Sequence, residues 1–275
     1  HVPLRRAVYP GVNLTGQVRR GRLRARLFER AQRPSLALTV LAAVFLVSLA
    51  IAEVEQRPAY PFYTPTDTIL VLGAVPQEIP PVLDALEGVE KATLWGIPYW
   101  KGETDGRPVV AAITGIGKTF TAMTTTRFIT EFRPRVVVMT GTAARVDPDL
   151  RTGDVVIAAQ TYEHDYGSLT ADGMTYRPMN GPVGGAEVEN RFSPTADWLE
   201  RAREALDDFE GETLTVDGRS YTTTARIGVV ASSDLFGVPE RRIALLRSRF
   251  DADLMEMESA PLGLVCEQFG VPYLV

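Results

Sequence analysis

From residue 67 onward the chain alternates short, densely apolar runs with longer amphipathic ones, and few folds satisfy that rhythm. "TILVLGA" and "RVVVMTG" predict strands buried on both faces, and "DVVIAAQ" and "ARIGVVAS" predict further strands. "ATLWGIPYW" and "RPVVAAITG" flank "ETDG", which is a hairpin signal. Between the strands, "IPPVLDAL" begins a helix whose prolines are tolerated in its first turn. "KTFTAMTTTRFITEF", "PERRIALLRSRF" and "ESAPLGLVCEQFG" are further helices, and Ser193 and Pro194 open another at "SPTADWLERAREAL". "DADLMEME" adds a strand, and "NGPVGGAEVENRF" reads as a polar, glycine-rich loop. Strands alternating with helices imply one α/β domain over 67–275, with three layers around a mixed, mostly parallel central sheet.

The residues before that domain follow other rules. Residues 1–34 hold nine arginines and one acid, Glu29, a net +8 that leaves −13 on the rest of a chain totalling −5. "SLALTVLAAVFLVSLAIA", residues 35–52, carries no charge and is about the minimum length for a membrane helix. Arginines precede it and Glu53 and Glu55 follow, so positive-inside logic puts the body outside the cytoplasm, whether periplasmic, secreted or tethered. "AIA" at 50–52 has the small-x-small form of a signal-peptidase site, which leaves membrane anchor and signal segment both open. Residues 53–66, rich in Pro and Tyr, read as a linker. The chain starts without Met and stops inside "GVPYLV", which reads as a fragment at both ends.

Composition narrows the chemistry. An acidic body lacks the basic footprint of a nucleic-acid groove. One cysteine, Cys266, allows no internal disulfide, and two histidines, His1 and His164, cannot build a Cys/His zinc cluster. No metal or other cofactor is therefore expected. "AITGIGKT" ends like a phosphate-binding loop, but Ala112 stands where the strict pattern has its first glycine, and "RVVVM" runs into Thr140 instead of a magnesium-holding aspartate.

Ligands in open α/β sheets gather at the carboxyl ends of the strands. There this chain carries "GAVPQE", "TGIGKT", "TGTAARVDPDLRTGD", "SSDLFG" and "EMESA", in that order. Spacing alone leaves Glu256 and Glu258 open between the edge of a solvated turn and a buried site. The five segments together resemble the nucleoside phosphorylase superfamily, and more narrowly its 5′-methylthioadenosine/S-adenosylhomocysteine nucleosidases, over about residues 67–275.

The resemblance implies hydrolysis of an N-glycosidic bond with release of adenine. It makes Glu78 the acid that activates water, with Thr142 helping to place that water. Met257 and Glu258 grip the ribose, and Glu256 supports them. Phe236 stacks on the purine, Gly237 offers backbone groups to the base, and Val75 and Ile116 line the pocket for the 5′ substituent. In the family an aspartate that protonates the base, and an arginine that helps bind water, follow the strand matching "VPYLV"; the resemblance places both beyond Val275, so the domain reads as truncated. Relatives are commonly homodimers. Arg145 replaces a usual glycine and reads as a surface residue or an anion contact. Two alternatives stay open: a phosphorylase, which needs arginines around phosphate, and a tethered nucleoside sensor without turnover. His164 and Asp165 suggest an acid–base dyad, but neighbours on a strand point to opposite faces.

Overall fold

The computed structural model describes residues 63–275 except 172, 181–186, 189 and 238. The basic segment 1–34, the apolar run 35–52 and the linker up to residue 62 lie outside the described residues. The last linker residues are docked: the Tyr63 hydroxyl donates to the Pro134 carbonyl at 2.7 Å, and Thr66 N–H donates to that of Arg133 at 2.7 Å. Among the described residues no helix is long and apolar enough to cross a membrane.

In chain order the main elements are β1 (Ile69–Gly73), a 3-10 turn (Pro76–Glu78), α1 (Pro80–Asp84), β2 (Glu87–Leu94), β3 (Ile97–Thr104), β4 (Arg107–Ile113), α2 (Lys118–Phe132), β5 (Val136–Met139), β6 (Ala144–Arg145), β7 (Val155–Glu163), β8 (Arg191–Phe192), α3 (Ala196–Asp207), β9 (Ala225–Ser232), α4 (Glu240–Phe250), β10 (Leu254–Glu256), α5 (Ser259–Phe269) and β11 (Tyr273–Leu274). Six strands pair in the order β11-β5-β1-β4-β3-β2, and five in the order β8-β7-β9-β10-β6. The architecture is α/β around a mixed sheet: β1 runs parallel to β4 and β5, and β9 parallel to β7 and β10, while β3 is antiparallel to both its neighbours. Where one sheet was expected, two meet: Ala158 of β7 donates its N–H to the Val275 carbonyl just past β11 at 2.9 Å.

The period of two in β1 explains the layers. Ile69 and Val71 join one buried cluster with Val82 of α1 and Trp198 and Ala202 of α3. Leu70 and Leu72 face the other way, into a cluster with Phe128 and Ile129 of α2 and Leu262 and Cys266 of α5. Both faces of the strand are therefore covered, as its unbroken apolar run requires.

Departures from the sequence reading lie at turns. "ATLWGIPYW" is not one strand but the meeting of β2 and β3 at a two-residue turn, Trp95 (φ 53°) and Gly96 (φ 81°). "ETDG" turns at Asp105 (φ 49°) and Gly106 (φ 71°), as expected of a tight hairpin. α1 is only five residues long, because β2 begins at Glu87. The segment read as a glycine-rich loop contains β8, which pairs antiparallel with β7. Two further hairpins, Gly167–Tyr176 and Thr213–Thr222, were not foreseen. The Thr195 backbone precedes α3 directly, so Ser193 and Pro194 stand just outside the helix they were expected to open.

Candidate active site

The carboxyl ends of β1, β4, β5, β9 and β10 supply the candidate residues. After β1 the chain enters a 3-10 turn with Pro76 in its first position, and this turn brings Glu78 back beneath the strand end, 4 % exposed. Its Oε2 accepts the Ala74 and Val75 N–H groups at 2.7 and 3.2 Å. Its Oε1 accepts the Thr142 N–H at 3.0 Å and the Thr142 hydroxyl at 3.2 Å. Four donors from two strand ends thus fix one carboxylate. Gly141 makes this approach possible, since a Cβ there would stand 3.2 Å from Glu78 Oε1.

β10 ends at Glu256, and α5 begins three residues later. Glu256 accepts the N–H groups of Glu258 and Ser259 at 2.6 and 2.8 Å, the Ser259 hydroxyl at 2.7 Å and the Ser232 hydroxyl. It therefore satisfies the first donors of α5, which would otherwise be orphaned. Burial pushes its carboxyl upward against those hydrogen bonds. Ser232 also accepts the Ala260 N–H at 2.9 Å, so the end of β9 is fastened to the same turn.

Glu258 sits on that turn, 7 % exposed. Its Oε1 accepts the Gly117 N–H at 2.7 Å and its Oε2 the Met257 N–H at 3.2 Å. Burial raises its pKa to about 7; the Gly117 and Met257 hydrogen bonds oppose the rise, and the charges of Glu256 and Glu78 add to it. Glu78 and Glu258 thus feel each other's charge. Each Glu258 oxygen has room for a further donor, since an ionised carboxylate offers about four acceptor positions. Gly117 has φ +93°, and a Cβ on it would lie 2.9 Å from Asp234 Oδ1.

Around these carboxylates the segments carrying Val75, Ile116, Phe236 and Met257 converge. A Cβ on Gly117, next to Ile116, would stand 4.0 Å from the Met257 methyl carbon, and Lys118 N–H donates to Asp234 Oδ1 at 2.8 Å, two residues before Phe236. Phe236 is 95 % exposed and Ile116 57 % exposed, so both are accessible to a ligand or a partner. Gly237, with φ 102°, follows Phe236 in the same loop.

Other sequence-level candidates resolve differently. Arg145 is exposed and donates to the Leu150 carbonyl at 3.0 Å, which makes it a loop brace. His164 is buried, with Nδ1 3.0 Å from Arg242; burial and that guanidinium lower its pKa to about 4. Asp165 instead accepts from Lys118 and from the Asp234 N–H, so the two neighbours form no dyad. The "GIGKT" loop does not present a phosphate cradle: the Gly117 N–H is given to Glu258, and the Lys118 ammonium sits 2.6 Å from both Glu163 and Asp165. Among the described residues no three His, Cys, Asp or Glu side chains are grouped to hold a metal. Sequence reasoning missed Ser232, Ser259, Lys118 and Asp234. All four lie inside the quoted segments "SSDLFG", "EMESA" and "TGIGKT", and only their place at strand and helix ends marks them.

A family model described as the phosphorylase superfamily matches residues 68–275. A 5′-methylthioadenosine/S-adenosylhomocysteine nucleosidase of Geobacillus kaustophilus (strain HTA426) is 32 % identical over 206 residues, 74 % of this chain and 80 % of that protein. The Neisseria meningitidis enzyme of that name, solved with methylthio-immucillin-A, superposes with a TM-score of 0.63 at 30 % identity, covering 76 % of this chain and 83 % of the other. A mutant futalosine hydrolase of Helicobacter pylori strain 26695 gives a TM-score of 0.61 at 28 % identity, covering 76 % of this chain and 86 % of the other.

Proposed function

The chain belongs to the phosphorylase superfamily, and from that membership we propose that it is an N-glycosidic hydrolase acting on 5′-methylthioadenosine or S-adenosylhomocysteine and releasing adenine. The observation that carries the reading is the pair of buried carboxylates, Glu78 just past β1 and Glu258 just past β10, whose charges act on each other. Cleavage builds positive charge on the ribose and negative charge on the departing purine, and catalysis consists of stabilising both as they develop.

In this reading the Thr142 hydroxyl, the one rotatable donor among the four on Glu78, turns from Oε1 to the attacking water, and Glu78 takes a proton from that water on the position thus freed. Glu258 accepts the two ribose hydroxyls on its spare acceptor positions, beside Met257, and its negative charge favours the developing ribosyl cation. Glu256 supports the grip by holding the turn. Phe236 stacks on the purine, the Gly237 backbone meets the base edge, and Val75 and Ile116 border the 5′ substituent.

Water is favoured over phosphate as the nucleophile on electrostatic grounds. A phosphate dianion beside Glu78 and Glu258 needs cations, and those of the strand-end segments are committed. Lys118 pairs with Glu163 and Asp165, Arg145 donates to Leu150, and Arg151 bonds the Thr222 carbonyl and lies against Asp154. The test is adenine release from methylthioadenosine and adenosylhomocysteine, with and without phosphate. Free ribosyl product at a phosphate-independent rate is expected. A sugar phosphate would make the chain a phosphorylase, and binding without release would make it a sensor.

The same reading includes a homodimer and an extracytoplasmic location. Exposed Ile116, Phe120, Leu235 and Phe236 favour a second copy near the site mouth, which light scattering tests. The charge step around 35–52 favours export, with membrane attachment if that segment is retained; a reporter active only in the cytoplasm, fused after residue 66, should be silent.

A further inference from the structure

Lys118 is the first residue of α2, yet its side chain does not serve the helix. Its ammonium, 19 % exposed, lies 2.6 Å from Glu163 Oε1 at the end of β7 and 2.6 Å from Asp165 Oδ1 just beyond. Its own N–H donates to Asp234 Oδ1 at 2.8 Å. Asp234 N–H in turn donates to Asp165 Oδ2 at 2.9 Å, which closes a ring of three segments far apart in the chain. Gly117, immediately before Lys118, supplies the N–H that holds Glu258, and Leu235, Phe236 and Gly237 follow Asp234.

The charge balance of this ring is lopsided. Glu163 and Asp165 are two carboxylates on one ammonium, and Asp234 brings a third to the ring through the Lys118 N–H. Without the ammonium, Glu163 and Asp165 would face the start of α2 unpaired, and breaking a partly desolvated pair on one side costs far more than an exposed pair is worth. The segments would relieve that repulsion by separating, and the separation falls on the Gly117–Glu258 bond and on the 233–237 loop.

We infer that Lys118 is a positioning residue for nucleoside binding: its ammonium locks the end of β7 to both the Gly117 N–H that holds Glu258 and the loop that carries Phe236. The inference rests on the roles given to Glu258 and Phe236 in the proposed function. Lys118 does not touch the nucleoside itself.

The experiment compares the full chain with Lys118→Met and Lys118→Arg, using calorimetric binding of methylthioadenosine-type analogues that are not cleaved, together with steady-state adenine release. Lys118→Met is expected to bind about tenfold more weakly and to raise KM more than it lowers kcat. Its binding should also need a higher pH than the parent's, because the Gly117 hydrogen bond is the larger of the two that oppose the rise in the Glu258 pKa. Lys118→Arg, which keeps the charge, should recover most of the affinity. A folded Lys118→Met with parental affinity and parental pH midpoint would overturn the inference. If Lys118→Met does not fold, Asp165→Asn breaks one bond of the ring with less charge imbalance and should weaken binding several-fold; parental affinity in that folded variant overturns the inference equally. A parent chain that neither binds nor cleaves the nucleoside would sink the functional reading, whereas a competent parent matched by its variants would sink only the role of Lys118.

Discussion

Glu258 offers the sharpest test, because its environment moves a glutamate into the neutral range. Its pKa lies at about 7 instead of 4.5, chiefly because the side chain is buried, with the charges of Glu256 and Glu78 adding to the rise. A ribose grip that needs the carboxylate must then switch on across neutrality. With a midpoint of about 7 the group is about one-eleventh ionised at pH 6 and about ten-elevenths at pH 8, so affinity should rise about tenfold, or about 1.4 kcal/mol. An unperturbed glutamate would leave affinity flat over that range. The assay is calorimetric titration with an uncleaved adenine nucleoside analogue at pH 6, 7 and 8. Glu258→Gln should bind weakly and without the pH dependence. The sign of the stability effect is opposite. A carboxyl whose folded pKa is raised contributes stability that is full below its unfolded value near 4.5 and is lost as pH rises through about 7. The melting temperature of the ligand-free parent should therefore fall relative to Glu258→Gln over that window. Affinity that is flat or falls between pH 6 and 8 would refute the argument.

Other substitutions separate chemistry from architecture. Glu78→Gln keeps the shape of the side chain but removes the base, so kcat for adenine release should drop by about 10²–10⁴-fold while the fold, followed by circular dichroism, persists. Phe236→Ala should weaken nucleoside binding by about 1–3 kcal/mol, the usual worth of a base–aromatic stack, and leave the melting temperature unchanged, because the ring is 95 % exposed. Glu256→Ala should do the reverse in order of severity. It removes the acceptor for the N–H groups of the α5 cap and first residue and for two serine hydroxyls, so denaturant unfolding should show a loss of about 2 kcal/mol or more.

The strands buried on both faces were legible because their environment is uniform: Ile69 to Leu72 must be apolar at every position when α1 and α3 cover one side and α2 and α5 the other. The turns were legible only where composition announces them. "ETDG" carries the Asp-Gly signature, whereas the turn at Trp95–Gly96 hides inside an apolar run and puts a tryptophan at positive φ. β8 was invisible because two residues in a glycine-rich stretch carry no periodicity, and only pairing with β7 makes them a strand. The division into two sheets could not be read from any window of sequence, since it depends on which strand lies beside β7 at Ala158.

The site divides along the same line. Glu78 and Thr142 are separated by 64 positions, but each lies at the end of a recognisable buried strand, so topology brings them together without further information. The ring around Lys118 joins residues 45, 47, 69 and 116 positions apart, and two of its partners, Glu163 and Asp165, flank a histidine that drew attention to the wrong pair. The two glutamates of "EMES" show how little separates a structural acid from a functional one. Both are buried enough for their pKa values to rise. What distinguishes them is where α5 starts. Because Ser259 is its first residue, Glu256 stands close enough behind to take the N–H groups of Glu258 and Ser259, and its oxygens are consumed there. Glu258, at the cap position itself, cannot reach those donors; it turns toward Gly117 and keeps acceptor positions open. Moving the helix start by two residues would exchange the roles of the two carboxylates, although the local sequence would read the same.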